Sequence, residues 1–189
     1  MPLPIGHSLM GYTLHEAVPG NKNRFTWRMI LLYIVVANLP DVDFIPGLFV
    51  DSPNRFHHHY LSHSLAFAVF VGGLLAIYFS RRQGGRFVSH FLTFTGICFS
   101  HLVLDYFTAD TSAPFGVPMF WPISSRYFYS SFSIFMSVHK SGTSSDFIQS
   151  LFVLHNLWVA LWEMLIFVPI FTMIKLVQNR KRLLLKFAK

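Results

Sequence analysis

Long apolar blocks alternate along this chain with short clusters of polar residues, glycine and proline, and the spacing predicts helices long enough to matter to a membrane. The first block, Ile5 to Val18, ends before Pro19 and Gly20. At about 1.5 Å per residue it is too short for a hydrocarbon core of about 30 Å, so a half-inserted or interfacial helix is expected. Met29 to Ala37 is apolar until Pro40 and two aspartates stop it. A charged pair has no place in lipid without partners, which predicts a helix delivering Asp41 and Asp43 to a polar cavity. Leu65 to Phe79, extended back through His63, and Phe87 to Phe107 are the next long segments. Thr108 to Asp146 has too much Pro, Gly and Ser for a span and reads as an aromatic loop. Phe147 to Leu176 is the last apolar segment, with Gln149, Asn156 and Glu163 on one stripe. Glu163 reads either as a functional group or as a helix-packing hydrogen bond.

The expected fold is all-α: a polytopic membrane bundle of about four to five helices, some short or broken, with an aromatic extracytoplasmic loop. Residues 1–189 form one domain in this reading, with the site region at 5–125, a C-terminal membrane helix at about 147–176 and a basic tail at 177–189.

Composition strengthens that picture. The 189 residues are 53% hydrophobic and 12% charged, and the mean hydropathy is +0.47, too apolar for a water-soluble domain of this size. The net charge of +7 is concentrated in Lys22–Arg28, Arg81–Arg86 and Lys175–Lys189, next to apolar runs. That placement anchors topology at an anionic leaflet and argues against nucleic acid as a partner; the membrane lipid is the expected one. Lys and Arg favour the cytoplasmic side, and two crossings, at 87–107 and 147–174, would return the tail to the side of Arg81–Arg86. His58, His63, His101 and Asp105 then lie on the extracytoplasmic side, joined by Asp41, Asp43 and His7 if their helices run as expected. Cys98 is the only cysteine, so no intrachain disulfide forms. The start, MPLPIGHSLMGY, lacks the pattern of a cleavable signal peptide.

The candidate chemistry sits at the ends of the apolar runs. Carboxylate oxygen and imidazole nitrogen bind divalent zinc, manganese or iron. His101 and Asp105 in HLVLD are i, i+4 on one helix face, so both can reach one metal, or the aspartate can orient the histidine. In PDVD the carboxylates are i, i+2, and Pro40 suggests a turn there. In HHHYLSHS, His58 and His63 can bind jointly, with His59 and His63 a competing pair. His57 and His59 are expected to touch phosphate or nothing, and Ser64 to support the site or start a helix. His15, His90, His139 and His155 read as structural.

GHSLMG, LPDVDF, HHYLSHS and HLVLD followed by GVPMFWP, in that order, resemble the YdjM-like group of inner-membrane metal-dependent hydrolases. The likeness covers roughly residues 5–125. It implies His7, Asp41, Asp43, His58, His63, His101 and Asp105 as metal ligands, with Asp41 and Asp43 also catalytic and His59 and Ser64 at the substrate. His59 and Tyr60 stand where the group commonly has arginine and glycine, and Ser62 replaces a threonine. The implied activity is hydrolysis of a phosphoester or lipid-linked substrate in the inner membrane, with one or two divalent ions activating water. The alternative is a non-enzymatic membrane protein that binds or transports metal or haem through its histidines. A vanadium-chloroperoxidase-like phosphatase is excluded by the missing PSGH and Arg-x5-His signatures; six residues after Arg126 stands Phe132.

Overall fold

The computed structural model describes residues 1–17, 27–56, 61–111 and 113–187, with side chains to residue 180. Its helices are α1 (Pro4–Ala17), α2 (Trp27–Asn38), α3 (Phe44–Leu48), α4 (Leu65–Gln83), α5 (Phe87–Tyr106), α6 (Ser144–Ser150) and α7 (Leu154–Phe187). The chain is all-helical apart from turns and isolated bridges among the described residues. Among the described residues four segments are long and apolar enough to cross a membrane: Trp27–Leu48, Leu65–Gln83, Phe87–Tyr106 and Leu154–Arg180.

Local chemistry sets the boundaries. Asn38 ends α2 by donating from its amide to Ile34 O (2.8 Å) and Ser8 Oγ (2.9 Å). Pro40 lacks an N–H for a further α-helical bond, and the backbone tightens into a 3-10 turn over Leu39–Asp43 before α3. Ser64 caps α4, accepting from Phe67 N at 3.1 Å. Gly84, at φ 70° and ψ −169°, takes a positive-φ conformation open to glycine that ends α4 and lets the chain turn into α5.

Pairwise contacts fix the helix directions. Tyr33 stacks near Phe94, and His101 reaches the Ala37 carbonyl, so α2 and α5 run parallel. Phe79 meets Phe94, and Gly72 meets Thr95, so α4 is antiparallel to α5. A methyl group at position 72 would lie 2.0 Å from Thr95 Oγ1 and 2.8 Å from Thr95 N, which shows how closely the two backbones approach. Ser8 meets Asn38 and His15 meets Tyr33, so α1 is antiparallel to α2. Leu3 meets Glu163 and Glu16 meets Lys175, so α1 is parallel to α7. One end of the bundle therefore gathers the C-termini of α2 and α5 with the N-termini of α1, α4 and α7. Arg28, Arg81, Arg82, Arg86 and Lys175 belong to the other. The core between them is built on Tyr33, Val36, Ala37, Phe94, Ile97 and Cys98.

The short first helix is not peripheral: Gly6, His7, Gly11, Thr13 and His15 are buried in the bundle. The last apolar segment differs from the expected single helix at 147–176. It breaks at 151–153, because the Asn156 amide donates to the Ser150 and Leu151 carbonyls that a continuous helix would use. Beyond the break α7 passes through Pro169 and takes most of the basic tail into the helix. The helix-free stretch 107–143 is tied to the site end, with Leu65 N donating to Met119 O and Ser130 N to Tyr106 O. Its bridges pair Thr108 with Phe135 and Val117 with Phe128.

Candidate metal centre

Four separate pieces of chain deliver polar groups to one buried point. His7 comes from the first half of α1, Asp41 from the 3-10 turn after α2, His63 from the residue before the cap of α4, and His101 with Asp105 from the last turns of α5. All five are buried, none more than 5% exposed. The Pro40 turn swings Asp41 inward, and the i, i+4 spacing puts His101 and Asp105 on the same face.

The central distances are short. His63 Nε2 lies 3.6 Å from both Asp41 Oδ1 and Asp105 Oδ2. His101 Nε2 lies 3.4 Å from Asp41 Oδ1 and 3.2 Å from Asp105 Oδ2. His7 stacks on His101 with ring centroids 3.7 Å apart, and its Nε2 is 3.8 Å from Asp105 Oδ1. Among the described residues two groups of three, His7 with His101 and Asp105, and Asp41 with His63 and His101, have ligand atoms within 4.8 Å of one another, close enough to hold a metal ion.

Outer contacts orient the rings. His101 Nδ1 donates to the Ala37 carbonyl at 2.8 Å, which leaves Nε2 to carry the lone pair inward. His63 Nδ1 faces Asp43 Oδ2 at 3.0 Å, and Ser62 Oγ donates to the same oxygen at 2.9 Å. Asp43 thus lies behind His63 rather than in the central group, an arrangement that aims His63 Nε2 at Asp41 and Asp105.

Both oxygens of Asp41, both ring nitrogens of His7 and Nε2 of His101 are buried without a hydrogen-bond partner. Leaving such groups in an apolar interior costs several kcal/mol unless a charge compensates them, and a divalent cation would do so. The donor set fits that group. A tetrahedral ion with bonds of about 2.0–2.1 Å needs ligand atoms about 3.3–3.4 Å apart. Four of the six pairs among His63, His101, Asp41 and Asp105, those between a histidine and an aspartate, lie 3.2–3.6 Å apart, close to this spacing.

The electrostatics outside the spans differ from ring to ring. Burial lowers the His7 imidazole to about 3, with His101 adding to the shift, so the ring is neutral and able to ligate near pH 7. Burial alone would lower His63 too, but the carboxylates of Asp41 and Asp43 beside it outweigh that and raise its pKa. Lys140 is lowered by burial.

The expected site residues separate by place. His7, Asp41, His63, His101 and Asp105 come together; Asp43 touches the group through His63. Ser64 Oγ donates to Leu61 O and accepts from Phe67 N, so its hydroxyl is engaged at the start of α4. His58 and His59 lie outside the described residues. His15 stacks on Tyr33, and His155 bonds to the Ser137 carbonyl, both away from the centre. Glu163 accepts from Leu3 N at 2.6 Å, holding the N-terminus of α1. Sequence reasoning missed Lys140, which lines a cavity together with Asp41; it belongs to no run or helical stripe that would have marked it.

A family model described as YdjM inner membrane protein matches residues 1–182, and the chain belongs to that family. With its four apolar segments it is a multi-pass inner-membrane protein. No curated protein and no solved structure matches the chain.

Proposed function

We propose that this family member is a membrane-bound metal-dependent hydrolase, acting on a phosphoester or lipid-linked substrate, with its site at the extracytoplasmic face. The observation that carries this reading is the pair of buried triads, Asp41 with His63 and His101 and His7 with His101 and Asp105, each close enough together to hold a cation. His101 Nε2 is common to both candidate triads and can serve only one ion, which favours one cation over two. His7 then packs against His101 and reaches the second oxygen of Asp105.

A bound divalent cation would supply a water whose pKa is lowered toward neutrality. Asp41 Oδ2, without a hydrogen-bond partner, is the protein atom available to accept a proton beside the cavity that Asp41 lines. Asp43 acts through His63, holding the ring by its Nδ1. Burial of every member excludes bulk water, which strengthens each electrostatic contact. The extracytoplasmic assignment rests on the basic residues at the opposite end of the bundle. Haem is disfavoured by the stack of His7 on His101, which leaves no gap for a macrocycle between the rings.

Elemental analysis of detergent-purified protein, before and after chelation, tests the reading. The expected result is one zinc, manganese or iron per chain, lost from Asp41→Ala and His63→Ala. Equal metal content in all three proteins would remove the ligand assignment. Chelation should also lower the unfolding temperature reversibly, because the cation binds only the folded chain.

A further inference from the structure

We propose that the cavity beside the metal centre binds a compact phosphate ester, with Lys140 holding the anionic group and an apolar chamber ending on Asp41 holding the rest. This rests on the hydrolase reading and names the substrate class for the same site. Two cavities adjoin at Lys140. One, of about 140 Å³, is walled by Leu3, Phe44, Val138, Phe147 and Leu151, with Asp41 at its margin. The other, of about 240 Å³, is polar and lined by Asp110, Thr111, Ser137 and His139. Met1, Asn54, Val138 and Lys140 border both, so an ammonium group stands where a polar mouth meets an apolar chamber.

Lys140 is placed for a ligand more than for the fold. Its Nζ contacts Met1 Sδ at 3.2 Å, a weak acceptor, and among the described residues no carboxylate lies within ion-pairing distance of it. A half-buried lysine normally finds a carboxylate or reaches water; this one faces the shared lumen. Its backbone is held on both sides. Asn156, itself buried, accepts from His139 N at 2.8 Å and donates to His139 O at 2.7 Å. Ser150 Oγ accepts from Ser141 N at 2.8 Å. A lysine whose backbone is held in this way has less freedom to lose when an anion arrives.

The chamber sets the size of the apolar part. An apolar cavity of about 150 Å³ holds a benzene ring, so the chamber here takes a ring or a short branched group and not a long acyl chain. Phosphate suits the polar end, because a lysine ammonium serves as a point charge for it, and because the ester bond would then lie between Lys140 and Asp41.

The test is calorimetric titration of the detergent-purified full chain with phenylphosphonate, octylphosphonate and inorganic phosphate, beside metal analysis of each variant. Lys140→Met should bind phenylphosphonate about ten- to a hundred-fold more weakly, the loss of one charge-assisted hydrogen bond, while Lys140→Arg recovers most of the affinity. Leu151→Trp should lose phenylphosphonate but keep phosphate, and all variants should keep wild-type metal content. The proposal is overturned if Lys140→Met or Leu151→Trp binds phenylphosphonate as wild type does, or if octylphosphonate binds more tightly than phenylphosphonate. A wild-type protein without metal that still shows the Lys140 and Leu151 dependence would remove the hydrolase reading and leave the pocket standing.

Discussion

Helix α1 carries a buried histidine towards each end, and the two ends have very different company. His7 meets a second imidazole and the Asp105 carboxylate of α5, and neither of its nitrogens has a hydrogen-bond partner. His15 stacks on Tyr33 at 4.4 Å beside a closed ion pair, in which Lys175 of α7 neutralises Glu16. Burial is common to both ends. What separates them is how the acids are met within the protein: at the His15 end a lysine pairs with a glutamate, while at the His7 end the carboxylates face imidazoles, an arrangement a divalent cation would complete.

The strongest way to break this comparison is His101→Ala, which removes the nitrogen shared by both candidate triads. It should abolish metal binding by elemental analysis, whereas His15→Ala should leave the metal content at the wild-type level. Asp43→Asn comes next. It keeps the shape behind His63 but loses the charge that holds the ring, and should weaken metal affinity about 10- to 100-fold in competition with a chelator dye. Gly11→Ala acts on the stretch of α1 between the two histidines. Its new methyl would fall 2.8 Å from Ala37 Cβ and 3.1 Å from the Tyr33 carbonyl, prising α1 from α2. A stability loss of about 1–3 kcal/mol is expected in denaturant titration, together with weaker metal binding as His7 moves. Lys175→Met sharpens the other side. Lys175 is partly exposed, so breaking its pair with Glu16 should cost at most about 1 kcal/mol and leave the metal untouched.

Much of the candidate centre was legible in the sequence because ionisable residues are costly in apolar runs, and each stood where such a run ended. The i, i+4 pair His101 and Asp105 needed only helical geometry, and Pro40 announced the turn that brings Asp41 inward. Other features depended on partners far away in the chain. Asn156 and Glu163 were visible as a polar stripe, but what they hold, the backbone of His139 and the start of α1, lies 17 and 160 residues away. The helix break at 151–153 was hidden for the same reason, since an asparagine side chain competes with backbone bonds that local propensity favours. Lys140 sits in an irregular segment with no period to read, and its significance comes only from the two cavities that meet beside it. The different places of Asp43 and Asp41 were likewise beyond sequence reasoning, which gives their spacing but not which carboxylate faces the centre.

The tight crossing of Gly72 and Thr95 has an effect well beyond its own contact. His63 immediately precedes the cap of α4 and His101 rides near the end of α5, so the gap between those two rings is gauged, as by calliper arms, at a pivot about 9 Å along α5 and about 13 Å along α4. Any side chain larger than hydrogen at the pivot would spread the jaws. The choice of which ion fits could therefore be retuned by a residue that never touches it.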